Sequence, residues 1–256
     1  MHVELLVQWF SMEGFLLLCI GVVAAMFGVM FGAAGFVLVP AMLLMGVPIH
    51  TTVAANKFAT GLSSLTTVIS LVLKRKLRVK PMLLLMILSM FGGVSGGFLA
   101  TRLSEQSMNL VACMALIFAF VFVLKGNKNI VTISKNDKQL PKLGVSPFFI
   151  GIYDGGFGPG SGSMYITYFL KSNYSYVKAA ELTRFLMFAS CGGAFLFYYF
   201  FGLMNWAIAI PITVGSIIGS YFGIKIIPYI KARWIKIILP IIFLVLIAQV
   251  IFKFFT

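Results

Sequence analysis

Acidic residues are scarce in this chain: six Asp and Glu stand against twenty Lys and Arg, for a formal net charge of +14 over 256 residues. An excess of positive charge can mark a nucleic-acid binder. Here, however, the basic residues fall in short clusters between apolar runs, where topology and anionic headgroups account for them better. Nucleic acid is not expected as a partner. Histidine is nearly absent, and His2 and His50 are too few and too far apart for a zinc motif. The three cysteines, Cys19, Cys113 and Cys191, lie inside apolar runs at unrelated spacings. That pattern implies neither a disulfide framework nor a metal site, and it reads as helix packing. No cofactor is expected.

Enzyme signatures are missing too. Gly158-Pro159-Gly160-Ser161-Gly162 looks superficially like a phosphate loop, but the following Lys-Ser/Thr and the strand-to-helix context are absent. No Ser-His-acid arrangement occurs at a local spacing. Residues 1–13 hold Glu4 and Glu13 but no Lys or Arg, so they lack the positive region of a cleaved signal peptide. The first apolar segment is therefore expected to be retained.

What the chain has in abundance is apolar surface. Hydrophobic residues make up 61% of it and charged residues 10%, with a mean hydropathy of +1.04. So little polar surface cannot coat a water-soluble globule, and lipid becomes the solvent. Apolar runs cover residues 14–31, 51–73, 81–101, 107–124, 179–200, 205–224 and 234–252, several near the roughly 20 residues that cross a hydrocarbon core. At such lengths only helices satisfy the backbone in lipid. The expectation is an all-α, multi-pass integral membrane protein.

The sequence repeats itself once. Phe31-Gly32-Ala33-Ala34-Gly35 matches Phe157-Gly158-Pro159-Gly160-Ser161-Gly162; Asn56-Lys57-Phe58 matches Thr183-Arg184-Phe185; Gly92, Gly96 and Arg102 match Gly215, Gly219 and Lys225. Residues 1–125 and 144–256 are then two pseudo-symmetric repeats joined by a polar linker at 126–143. Each opens with an apolar segment interrupted by glycines, at 32–35 and 155–162. Glycine costs a helix about 1 kcal/mol per residue and proline about 3 relative to alanine. Both segments should therefore break inside the bilayer, where irregular backbone is tolerated when it packs in protein or lines a watery cavity. Paired breaks at matching positions favour a substrate or ion site over a simple packing kink.

Charge decides whether the broken segments cross. If both cross, the eighteen basic residues outside the spans divide 11 to 7 between the two faces. If both are re-entrant, each repeat has three full spans and the two are inverted; sixteen basic residues then share one face, leaving Arg102 and Lys253 opposite. The second arrangement fits the positive-inside rule, with the basic loops cytoplasmic and both termini outside.

Two cations belong to no loop. Lys57 lies in the helix after the first break, and Arg184 holds the matching place in the second repeat. Interior charge is costly and usually faces a cavity or partner, although side chains this close to a helix start can also snorkel to the interface. Asn56, Thr60, Ser63 and Thr67 make a polar stripe beside Lys57, suited to hydrating a pathway or to bonding between helices. The matching stripe Thr183, Met187, Ser190 and Ala194 is less polar. Asp154 is the one acidic residue expected in the interior, where it could pair with Arg184, cap a half-helix or take up a proton. Glycines at spacings of four, Gly92, Gly96 and Gly215, Gly219, Gly223, suit close helix packing.

The run Gly32-Ala-Ala-Gly-Phe-Val-Leu-Val-Pro40, the segment Val53-Ala-Ala-Asn-Lys-Phe58 and above all Gly151-Ile-Tyr-Asp-Gly-Gly-Phe-Gly-Pro-Gly-Ser-Gly-Ser163 resemble the sulfite exporter TauE/SafE family over nearly the whole chain. The resemblance implies a bacterial inner-membrane permease for sulfite, sulfonates or related organosulfur anions. The family's glycine motif falls on Asp154, Gly155, Gly158, Pro159, Gly160 and Gly162, and its Asn-Lys pair on Asn56 and Lys57. Where the family often has a lysine followed by asparagines, this chain has Arg184, Met187 and Cys191, which removes polar groups from half of the expected site.

The function expected is secondary transport of a small anion by alternating access, coupled to protons or another ion, with an anion-selective channel as the alternative. The pathway residues are Lys57, Arg184, Asn56, Thr183, Asp154, Thr60 and Ser63, with Gly32, Gly35, Gly158, Gly160, Ser161 and Gly162 at the breaks. Besides substrate, the expected partners are the lipid bilayer and, with the oligomeric state left open, a second copy in a homodimer.

Overall fold

The computed structural model describes residues 12–74, 82–112, 114 and 144–229. The apolar run at 234–252, most of the run at 107–124, Cys113 and the linker at 126–143 lie outside them. The described residues form helices and no strand. In chain order the helices are α1 (Met12–Phe31), α2 (Ala34–Leu44), α3 (Ile49–Leu73), α4 (Leu83–Thr101), α5 (Ser146–Gly156), α6 (Ser161–Lys171), α7 (Tyr176–Phe200) and α8 (Trp206–Ile226). A 3₁₀ turn, Ile227–Tyr229, follows α8, and residues 105–112 are also helical.

Four of these helices, α1, α4, α7 and α8, are long and apolar enough to cross a membrane. Helix α3 matches α7 at 25 residues. Its Asn, Lys, Ser and Thr residues lower its hydropathy, but Asn56, Lys57, Thr60, Ser63, Ser64 and Thr67 are all buried in protein. Together with exposed apolar side chains such as Phe15, Phe91, Leu99, Val214 and Phe222, this is the distribution of a protein with lipid outside and polar groups within.

Both glycine segments break their helices. Helix α1 ends at Phe31, and Gly32 takes a φ of +71° before α2 begins. Helix α5 ends at Gly156, and Gly158 and Gly160 take φ values of +103° and +86° before α6 begins. A side chain at these positions would be strained, so glycine is what lets the chain stop and restart within a few residues. The arms differ between the two breaks. Helices α5 and α6 have 11 residues each, about 16 Å at 1.5 Å per residue, whereas α1 has 20, enough to span alone.

Packing is exchanged between the first and second halves of the chain. Helix α1 lies along α8, and α5 lies along α4. The glycines spaced by four make the contacts: Gly215 and Gly219 of α8 sit against the backbone of Leu18 and Val22, while Gly92 and Gly96 of α4 sit against Phe148, Gly151 and Ile152. Helices α3 and α7 cross at the centre, with Gly61 facing Cys191.

Candidate functional site

The two breaks meet. The N–H of Ser163 donates to the carbonyl of Gly32 at 3.2 Å, and the Ser163 hydroxyl donates to the carbonyl of Phe31 at 2.7 Å. Gly162 abuts the Gly32 backbone and Gly35 abuts Pro159, each too close to leave room for a Cβ. Of the glycines expected at the site, Gly32, Gly35, Gly158, Gly160 and Gly162 are all buried in this junction.

Around the junction stand the two interior cations, neither of which reaches a surface. Lys57 is 1% and Arg184 2% exposed, so snorkelling is not what holds them. Lys57 Nζ lies 3.0 Å from Asp154 Oδ1 and packs against Gly158, where a Cβ would displace it. Asp154 also accepts from the Ser161 hydroxyl at 2.6 Å, from the Ser190 hydroxyl and, at 3.4 Å, from the Cys191 thiol. A buried carboxylate with a full set of donors and an ammonium partner is well accommodated. Asp154 thus pairs with Lys57, from the first half of the chain, and not with Arg184, and Ser161 is one of its donors.

Arg184 has a different environment. Its guanidinium donates to the carbonyl of Gly28 at 2.8 Å, near the end of α1. Its Nε–H, fully buried, has no acceptor. Among the described residues it forms no ion pair. The carbonyl end of α1 offsets part of the charge through the helix dipole, worth roughly half an elementary charge. The rest has no ion-pair partner among the described residues. The two cations therefore do not contribute equal positive fields: Lys57 is ion-paired with Asp154, and Arg184 is paired with no carboxylate among the described residues. Arg184 stands near the carbonyl end of α1, and Lys57 stands against Gly158, between the end of α5 and the start of α6.

The polar stripe of α3 bonds to its own helix. Thr60 donates to Asn56 Oδ1 at 3.1 Å, Ser63 to the Thr60 carbonyl at 3.2 Å and Thr67 to the Ser63 carbonyl at 2.9 Å. Thr183 likewise donates to the Ala179 carbonyl at 2.8 Å. These side chains are buried beside the cations without bridging helices through the bonds just given.

Sequence reasoning missed the tyrosines. Tyr198 donates to the carbonyls of Gly155 and Gly156 at 3.1 Å each, Tyr153 to that of Pro159 at 2.6 Å and Tyr176 to that of Met30 at 2.5 Å. They satisfy carbonyls that the helix breaks leave open. A tyrosine within an apolar run needs a hydroxyl partner, and that was the available signal. Cys191, read as packing alone, also bonds to Asp154. A separate cavity of about 320 Å³ opens between α5 and α6, lined by Phe149, Ile150, Tyr153, Met164, Thr167 and Lys171 among others; neither cation borders it.

The family model described as sulfite exporter TauE/SafE matches residues 17–250. The chain belongs to the TauE/SafE family. Among TauE/SafE-like relatives, a probable membrane transporter protein (ORF9) of a Sinorhizobium species is 32% identical over 225 residues, covering 86% of this chain and 84% of the relative. A probable membrane transporter protein of Haemophilus influenzae is 27% identical over 221 residues, 83% of this chain and 84% of the relative. The Escherichia coli K12 probable membrane transporter protein YfcA is 24% identical over 225 residues, 84% of this chain and 79% of the relative. No solved structure matches the chain.

Proposed function

We propose that this chain is a multi-pass secondary transporter of the bacterial inner membrane that moves a small anion by alternating access. Arg184 carries the reading: it is a buried guanidinium with an Nε–H that lacks an acceptor and no carboxylate partner among the described residues. An unbalanced cation in a low-dielectric interior attracts an anion more strongly than a neutral isostere. Sulfite, a sulfonate or another organosulfur anion suits a guanidinium, which offers planar N–H donors to oxyanions. Membership of the TauE/SafE family and likeness to probable membrane transporter proteins support transport as the activity.

The pathway runs past Lys57 with its partner Asp154, Asn56, Thr60 and Ser63 on one side and Arg184 and Thr183 on the other. Gly32, Gly35, Gly158, Gly160, Ser161 and Gly162 form its broken-helix junction. Residues 1–125 and 144–256 act as inverted repeats joined by the linker at 126–143, with basic loops cytoplasmic and termini outside. The exchanged packing of α1 and α5 supports that symmetry, and relative motion of the repeats would move access from one face to the other.

The test is counterflow in proteoliposomes. Saturable uptake of labelled sulfite or ethanesulfonate, accelerated by unlabelled anion inside, is expected. Ohmic, non-saturating anion current would replace the transporter by an anion-selective channel. Transport of a neutral isostere at the same rate would remove the anion reading altogether.

A further inference from the structure

The two cation sites are equivalent in the repeat and unequal in chemistry. Gly28 precedes Gly32 by the same four residues that separate Asp154 from Gly158. Each position lies near the end of its repeat's first helix, and each receives the cation of the other repeat: Arg184 on the carbonyl of Gly28, Lys57 on the carboxylate of Asp154. One half carries its own anion. The other has glycine in that place, and its cation keeps an N–H without an acceptor. Nothing larger than glycine fits at position 28, where a Cβ would lie 2.5 Å from that of Ala34; this half is built without a side-chain anion.

We propose that Asp154 is a tethered stand-in for a transported anion, filling at Lys57 the place that the substrate's anionic group takes at Arg184. This rests on the anion-transport reading above and goes further. It assigns the negative group of the substrate to the Arg184 half alone, and it makes the carboxylate of Asp154 the reason that a second anion does not bind. The donors around Asp154 describe what such a site offers an oxyanion: an ammonium, two serine hydroxyls and a thiol. The cargo is accordingly an oxyanion with a single negative group, such as a sulfonate or the singly protonated hydrogensulfite form of sulfite; the second charge of a dianion would find the other cation already paired.

Asp154→Gly, which gives both halves the same residue, tests the inference by chemical rescue. The variant is purified with acetate present, and its thermal unfolding is followed as acetate or ethanesulfonate is removed and restored. A small anion should raise its Tm with concentration, well beyond any shift in the unaltered protein, and ethanesulfonate should titrate a second equivalent. Adding Lys57→Met to Asp154→Gly should abolish that response. Asp154→Ala, which likewise removes the carboxylate and leaves its place open, is the second variant should Asp154→Gly fold poorly. If neither gains an anion-dependent rise in Tm, or if no small anion recovers folded protein from either, the stand-in role is overturned.

The wider reading is tested separately by Arg184→Met. Should that variant bind ethanesulfonate like the unaltered protein while Asp154→Gly is rescued by acetate, the transport site is not at Arg184, although Lys57 still binds anions. Loss of binding in Arg184→Met without rescue of Asp154→Gly leaves the transport reading standing and removes the stand-in.

Discussion

Ser163 bonds to Gly32 across the centre of the molecule, its N–H donating to the glycine carbonyl at 3.2 Å. The two helix breaks, far apart in sequence, are therefore one structural object. Gly32 combines a φ of +71° with a position where a Cβ would collide with the Ser163 backbone.

Gly32→Ala should therefore destabilise the protein by more than left-handed strain alone, which is about 1–2 kcal/mol. Gly46 provides the comparison, because its φ is +78° and nothing lies within 4 Å of the Cβ position. In thermal unfolding in detergent, Gly46→Ala should show a small loss and Gly32→Ala a clearly larger one. Equal losses would mean that the contact between the breaks contributes nothing.

The buried ion pair predicts non-additive stability. Lys57→Met leaves the carboxylate of Asp154 without its ammonium and should cost about 3–5 kcal/mol. Combining it with Asp154→Asn removes both charges and should recover a large part of that loss. A double variant as unstable as the sum of the two single ones would show that the pair is not a coupled unit.

Arg184→Met should weaken anion binding by the approximately 1.5–3 kcal/mol of a charged hydrogen bond, about tenfold to a hundredfold. Arg184→Lys keeps the charge and loses the planar fork, so its loss should be smaller. Binding of ethanesulfonate to purified protein, with folding checked by thermal unfolding, measures both. Identical losses in the Met and Lys variants would transfer the effect from charge to the shape of the guanidinium.

Much of this interior could be read from the sequence. The breaks followed from glycine and proline propensity, and the interior placement of Lys57, Arg184 and Asp154 followed from their positions between apolar runs. The partners did not. Lys57 reaches Asp154 because it packs on Gly158 in the break that follows α5, a relation set by packing between distant parts of the chain and not by local spacing. Two of the tyrosine hydroxyls were missed for a related reason: their acceptors, Met30 for Tyr176 and Gly155 for Tyr198, lie at distant positions that local periodicity does not connect.

Topology can be measured directly. With Cys19, Cys113 and Cys191 replaced, single cysteines placed in 74–80, 126–143 and 225–233 should resist impermeant thiol reagents in intact cells, and terminal tags should be reachable from outside. This follows from the division of basic residues, sixteen to two, between the faces. Labelling of 225–233 alone would restore two crossing broken segments and sink the inverted arrangement.

The exchange of α1 and α5 also bears on biogenesis. Helix α1 is synthesised well before the glycine ridge that receives it, Gly215 and Gly219 of α8. Until then α1 has no seat and must wait in lipid or in the keeping of the insertion machinery. The same dependence runs in reverse, since α5 docks on Gly92 and Gly96. Neither half should mature without the other. Expressed separately from a cut within 126–143, each should be cleared by membrane proteases, whereas co-expressed halves should accumulate together and purify as one complex; survival of either half alone would show that its exchanged helix is not needed for folding.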